Sequence, residues 1–140
     1  MSAALPKRRQ PFGFHLDLHS GVPAYRQIID QVTGGLAAGT LAGGDQLPTV
    51  RQVAVDLSIN PNTVMRAYRE LEIRGVLESL QGTGTFISHQ DSKTDEADHQ
   101  KRLKQLVGEF VARAGAAGFT VQDLLDQLKE LTSGAERKRK

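Results

Sequence analysis

The amino-acid sequence predicts an α+β fold, mostly helical: an N-terminal unit that closes on a β-hairpin, followed by a short C-terminal helical module. Three observations predict it. Two strong helix starts, at Thr49 and at Asn60-Pro61, bracket the short turn Ser58-Ile59. Two β-prone runs, Val76 to Leu80 and Thr85 to Ser88, flank Gln81-Gly82-Thr83-Gly84. Apolar stripes at three- and four-residue spacing then resume beyond the polar segment 89–98.

The elements follow in order. Residues 1–13 hold Lys7, Arg8, Arg9 and two prolines with little periodicity, and are expected to form a flexible basic arm. Phe14, Leu16 and Leu18 alternate with His15 and Asp17, the period of a short half-buried strand broken by Ser20-Gly21-Val22-Pro23. A helix starts near Pro23 with the stripe Tyr25, Ile28, Ile29, Val32 and Leu36, and Gly39 ends it. Ala42-Gly43-Gly44-Asp45 is a loop. Thr49, with Gln52 three residues on, forms a capping box for a helix that buries Val50, Val53, Ala54 and Leu57. Asn60 caps the next helix, with Pro61 at its first position. Its inner face is Val64, Ala67, Tyr68 and Leu71, its outer face Asn62, Met65, Arg66 and Arg69, and Gly75 stops it. After the hairpin, Leu103, Leu106, Val107, Phe110, Val111 and Ala114 define a helix ending at Gly115 or Gly118. Thr120 to Asp123 form another N-cap, and Leu124, Leu125, Leu128 and Leu131 form a last stripe closed by Gly134. Arg137-Lys138-Arg139-Lys140 is a solvated tail. The expected organisation is an arm at 1–13, a helix-and-hairpin unit at 14–89, a two-helix module at 90–134 and a basic tail at 135–140.

Composition removes several classes. The chain has 140 residues, 39% of them hydrophobic, enough for one modest core. It has no Cys, which excludes a disulfide framework, a thiolate metal site and a cysteine nucleophile, and fits a reducing cytoplasm. No run of about 18 apolar residues spans a membrane, and no apolar segment follows the charged N-terminus as a secretory signal requires. The formal charge of +2 is mild, so a nucleic-acid partner requires positive charge gathered on one face.

Leu47 to Ile87 reads LPTVRQVAVDLSINPNTVMRAYRELEIRGVLESLQGTGTFI. The LPT-x-R-Q box, the N-P-N-T-V-x-R-A-Y-x-E-L-E helix and the G-x-GTF wing together resemble the winged helix-turn-helix domain of GntR-family bacterial transcription regulators. With Val22 to Ile28 the likeness covers about half the chain. The C-terminal helix pair resembles the YtrA-type subfamily, in which such a pair serves dimerisation. The resemblance implies a regulator of a nearby transport operon. It does not extend to Pro61 and Met65, where the wider family often has Arg.

The residues support the same reading by their chemistry. The major groove of B-DNA is about 12 Å wide and admits one helix. Asn62 and Thr63 suit base edges, and Asn pairs bidentately with adenine. Helix starts at Thr49 and Asn60 offer N–H groups to phosphate. Arg51, Arg66 and Arg69 supply charge, and Gln81, Gly82 and Thr83 let the hairpin tip approach the minor-groove edge. These ten residues are the expected DNA contacts. Leu103, Leu106, Val107, Phe110, Leu124, Leu125, Leu128 and Leu131 are the expected dimer interface, because a pair of helices of this length has too little core to stand alone. The expectation is a homodimeric, cytoplasmic repressor that binds a pseudo-palindromic operator in double-stranded DNA, is not an enzyme and needs no cofactor or metal.

Two other readings compete. A protein-binding winged helix would carry the same fold without DNA contact. A metal enzyme would use His15, Asp17 and His19, which share one face if residues 14–18 form a strand. The polar face of a surface strand is the expected account of those three residues, since no further His or carboxylate cluster supports a metal site. The Lys7-Arg8-Arg9 arm is expected to be a disordered tail, although such arms can enter a minor groove. The initiating Met and the polar tail after Gly134 favour a short regulator over a fragment of a longer one. About 50 residues follow the wing, too few to enclose an effector pocket within one chain.

Overall fold

The computed structural model describes residues 12–89 and 95–139, with side chains of the final helix described as far as Thr132. They fall into two units, one on each side of residues 90–91. The expected arm residues Lys7, Arg8 and Arg9 lie outside the described residues.

The first unit contains α1 (Ala24–Ala38), β1 (Gln46–Leu47), α2 (Val50–Leu57), α3 (Pro61–Ile73), β2 (Leu77–Leu80) and β3 (Gly84–Ile87). The strands form one antiparallel sheet in the order β1-β3-β2. Leu77 pairs with Ile87 and Leu80 with Gly84, while Gln46 pairs with Phe86 on the other edge of β3. β1 is a correction to the sequence reading, which carried no strand there. Two residues are too few to show a period, and only β3 makes them a strand. The architecture is a helix-turn-helix braced by a third helix and followed by a wing.

The helix stripes fold as their spacing requires. Ile28, Ile29 and Val32 of α1 meet Val64, Ala67, Tyr68 and Leu71 of α3, and all are buried. Val53 and Ala54 of α2 join them, and Leu47, Leu77 and Ile87 close the core from the sheet. Each buried aliphatic side chain stabilises the unit by about 1.5–3 kcal/mol. Gly39 ends α1 in the left-handed conformation, with φ of 84°.

Two local expectations change. Thr49 accepts from the Gln52 N–H at 3.1 Å as a cap should, but Gln52 does not reach back. Its amide donates to Asp56 one turn on at 2.9 Å, so the box is half formed. The strand expected at residues 14–18 is extended chain without a partner strand. Its partner is the side of α1. The His15 N–H donates to Gln31 Oε1 at 3.0 Å, and Gln31 Nε2 donates to the His15 carbonyl at 2.6 Å. The Asp17 N–H donates to Gln27 Oε1 at 2.8 Å, and Gln27 Nε2 donates to the Asp17 carbonyl at 2.9 Å. Four residues of helix advance about 6 Å and two residues of extended chain about 6.6 Å, so two amides one turn apart copy the edge of a strand. Phe12 and Phe14 meet edge to face at 5.0 Å and pack against the core. Leu18 does not share their face. It lies in the following turn, 84% exposed.

The second unit contains α4 (Glu96–Ala116) and α5 (Val121–Arg139). Asp95 caps α4 by accepting from the Ala97 N–H at 3.1 Å, well ahead of Leu103, the first expected stripe position. Gly118 takes φ of 91° in the turn, and the Phe119 N–H closes on the Ala114 carbonyl at 2.9 Å. Thr120 and Asp123 exchange bonds in both directions, at 3.1 and 2.9 Å, a complete capping box. Gly134 does not close α5, which runs on to Arg139. A single glycine in a helix costs about 1 kcal/mol, and helix-forming Ala135 to Lys138 follow it directly. In this unit Ala114 is buried and Leu124 half-buried. Leu103, Leu106, Val107, Phe110, Leu125, Leu128 and Leu131 are all exposed in the single chain.

Candidate nucleic-acid interface

Three helix starts set the electrostatics of the first unit. The first turns of α1, α2 and α3 contain no acidic residue, so the positive ends of their dipoles stand uncompensated. Asn60 Oδ1 accepts from the Asn62 N–H at 2.8 Å, and Pro61 needs no donor of its own. With its start satisfied this way, α3 presents Asn62 exposed and Thr63 half-buried. Thr49 and Asn60 thus serve the backbone with their side-chain oxygens, whatever else they touch.

The cations divide by whether they are neutralised. Arg74 pairs with Glu70 at 2.9 Å and Arg26 with Asp30 at 3.6 Å. Among the described residues Arg51, Arg66 and Arg69 have no carboxylate partner. All three are exposed, Arg51 in the first turn of α2 and the others along the outer face of α3. The guanidinium carbon of Arg66 lies 3.9 Å from the centre of the Tyr25 ring. Beside this pair an open cleft separates the start of α1 from the start of α3, lined by Pro23, Ala24, Tyr25, Asn62, Thr63 and Arg66.

α3 is tied from behind. The Tyr68 hydroxyl donates to the Pro48 carbonyl at 2.6 Å, linking α3 to the chain that enters α2. Burial pushes the Tyr68 phenol up from its ordinary range, so it remains a donor. The wing is held as firmly. The Thr83 N–H closes the turn on the Leu80 carbonyl at 2.9 Å, with Gly82 at φ of 77° between them. Gln46 Nε2 donates to the Thr83 carbonyl at 3.2 Å. Gly84, at φ of 134°, leaves the room this amide needs, since a Cβ there would stand 2.6 Å from it. Gln81, Gly82 and Thr83 are left exposed at the tip.

The structure therefore brings Asn62, Thr63 and Arg66 together at one cleft and presents Gln81 to Thr83 on a braced turn. Sequence reasoning missed Tyr25 and Gln46 as parts of the site. Tyr25 fits the core stripe of α1 and is half-buried, so its spacing hides its second contact. His15, Asp17 and His19 do not form the metal set that a shared strand face would allow. His19 lies in a turn, and its N–H donates to Asp17 Oδ1 at 2.9 Å. Among the described residues no three His, Asp or Glu side chains stand together as metal ligands.

Fold and site define a winged helix-turn-helix transcription regulator of the DNA-binding class. Residues 24–87 match the family described as bacterial regulatory proteins, gntR family. The chain is 36% identical over 118 residues to the HTH-type transcriptional repressor YtrA of Bacillus subtilis (strain 168), covering 84% of this chain and 91% of that one. It is 36% identical over 115 residues to the HTH-type transcriptional regulator YhcF of the same organism, covering 82% and 94%. The solved structure of YtrA from Sulfolobus acidocaldarius, a GntR-family transcription factor, superposes with a TM-score of 0.51 at 30% identity, over 69% of this chain and 94% of that one. The chain belongs to the gntR family, and its likeness to YtrA of Bacillus subtilis, over 118 residues, is longer than the first unit. The family is one of transcription regulators, not of enzymes.

Proposed function

We propose that this chain is a homodimeric repressor that binds a pseudo-palindromic operator in double-stranded DNA. α3 enters the major groove with Asn62 and Thr63 toward base edges. Arg51, Arg66 and Arg69 take phosphates, with Thr49 and Asn60 holding the helix starts. Gln81, Gly82 and Thr83 meet the minor-groove edge. The observation that carries this reading is the set of exposed arginines Arg51, Arg66 and Arg69, without carboxylate partners among the described residues, on helices whose first turns hold no acid. A protein-binding surface has no need to keep all three cations unpaired.

Residues 14–89 form the DNA-binding unit and residues 90–134 the dimerisation module. The occupant of the apolar faces of α4 and α5 is a second copy of the chain. One inserted helix contacts too few base pairs to discriminate against a genome, and a two-fold dimer doubles them. Action on DNA places the protein in the cytoplasm, and no helix among the described residues is long and apolar enough to cross a membrane. Repression follows the named activity of the Bacillus YtrA relative, and a transport operon is the target its resemblance implies.

Selection of bound duplexes from a random pool tests the reading and supplies the operator. If the dimer neutralises about six phosphates, log K on that operator falls with log salt at a slope of about −5. A pool that yields no enriched duplex, or a slope near zero, removes the DNA assignment in favour of a protein-binding winged helix.

A further inference from the structure

We infer that Tyr25 is a positioning residue for DNA binding, whose ring holds the Arg66 guanidinium in the conformation it uses on DNA. This rests on the DNA-binding reading above. A free arginine side chain carries considerable rotamer entropy, much of which is lost when it fixes on a phosphate or base. Arg66 already lies over the Tyr25 ring, 3.9 Å from its centre. An ion pair would order the side chain as well, as Glu70 does for Arg74, but it would also cancel the charge and occupy donors. The ring orders Arg66 through attraction to its face and leaves both the charge and the N–H donors for a polyanion.

The placement supports this use. Tyr25 is the second residue of α1 and Arg66 lies in the second turn of α3, so both border the cleft that Asn62 and Thr63 line. Tyr25 is half-buried against the core by its own helix, so the platform is fixed before DNA arrives. Arg69, one turn further along the same face, has no aromatic platform among the described residues. Two arginines of equal charge on one helix therefore differ in order, and Arg66 is the one set beside the base-facing groups.

The test is a double-mutant cycle read by fluorescence anisotropy on the selected operator. Tyr25→Phe keeps the ring and should bind within about twofold of wild type. Tyr25→Leu removes it and should weaken operator binding about fivefold to tenfold. In an Arg66→Ala background the same Tyr25→Leu change should have no further effect. Arg66→Lys, which keeps charge without the planar group, should lose most of the affinity of Arg66. Proton NMR of the free wild-type protein gives a readout independent of any variant's folding. Arg66 Hδ resonances should be shifted upfield by the Tyr25 ring.

Equal loss from Tyr25→Leu with and without Arg66 overturns the inference, as does equal loss from Tyr25→Phe and Tyr25→Leu, which would assign the role to the hydroxyl. Arg66 resonances at random-coil positions overturn it as well. Wild-type protein that binds no duplex overturns the DNA reading first and this inference with it, whereas wild-type binding with an uncoupled cycle overturns this inference alone.

Discussion

Asn62 and Arg69 both face outward from α3, yet their chemistry predicts opposite phenotypes. Asn62 is exposed at the cleft, its N–H already used in the cap and its side-chain amide left to read an edge. Asn62→Ala should cost about 1–3 kcal/mol on the selected operator and little on random duplex, so that specificity relaxes. Arg69→Ala should weaken both DNAs by a similar factor and make the salt slope shallower by about 1 per site. Competition binding with operator and random duplex measures both. Equal loss on the two DNAs for Asn62→Ala would assign it a phosphate or structural role. Asn62, Arg66 and Arg69 were legible in the sequence because helical spacing alone assigns them to the outer face. The ring beneath Arg66 was not, because α1 and α3 are brought together only by the core.

At the scale of elements, the least expected interaction is the pairing of residues 15–17 with Gln27 and Gln31. Period-two alternation identified an extended segment but not its partner, since alternation reports only that one side is covered. Gln27 also donates to the Val22 carbonyl at 2.8 Å, so one amide holds the segment and the turn that returns it to α1. Replacing both Gln27 and Gln31 by Ala should release the segment at a cost of about 1–3 kcal/mol in urea unfolding. Hydrogen exchange at the His15 and Asp17 amides should rise toward that of free chain while α3 amides stay protected. Protection that survives in the double variant would mean that Phe12 and Phe14 packing, not the two amides, holds the segment. The caps show the same division. Thr49, Asn60 and Thr120 marked their helices because a cap is local, whereas β1 and the continuation of α5 past Gly134 left no such mark.

For the whole molecule, the exposed stripes of α4 and α5 carry the prediction. Leu125 is 44% exposed and Phe110 48% exposed in the single chain, on a face that nothing else among the described residues of that unit covers. Leu125→Asp places a carboxylate where the proposed partner copy packs, at a cost of several kcal/mol to association. The variant should sediment as a monomer, keep the far-UV circular dichroism of the wild type, and lose operator binding while retaining weak binding to random duplex. Analytical ultracentrifugation decides it. A wild type that is monomeric at tens of micromolar, or a variant that stays dimeric, would show that these helices do not join two copies.

What the sequence determined by itself is what depends on neighbours along the chain. Helix starts at Thr49, Asn60 and Thr120, the stripes of α1 and α3, and the hairpin around Gly82 follow from side chains within a few residues of one another, and propensity, capping and periodicity act over that range. Tertiary structure decided what depends on distant residues meeting. The core set α1 against α3 and so placed Tyr25 under Arg66. β3 recruited Gln46 into a strand and aimed its amide at the wing, and the side of α1 replaced a missing strand for His15 and Asp17. Each of these contacts joins residues far apart in sequence, so no local pattern records it, and its energy exists only once the hydrophobic core has closed the chain between them.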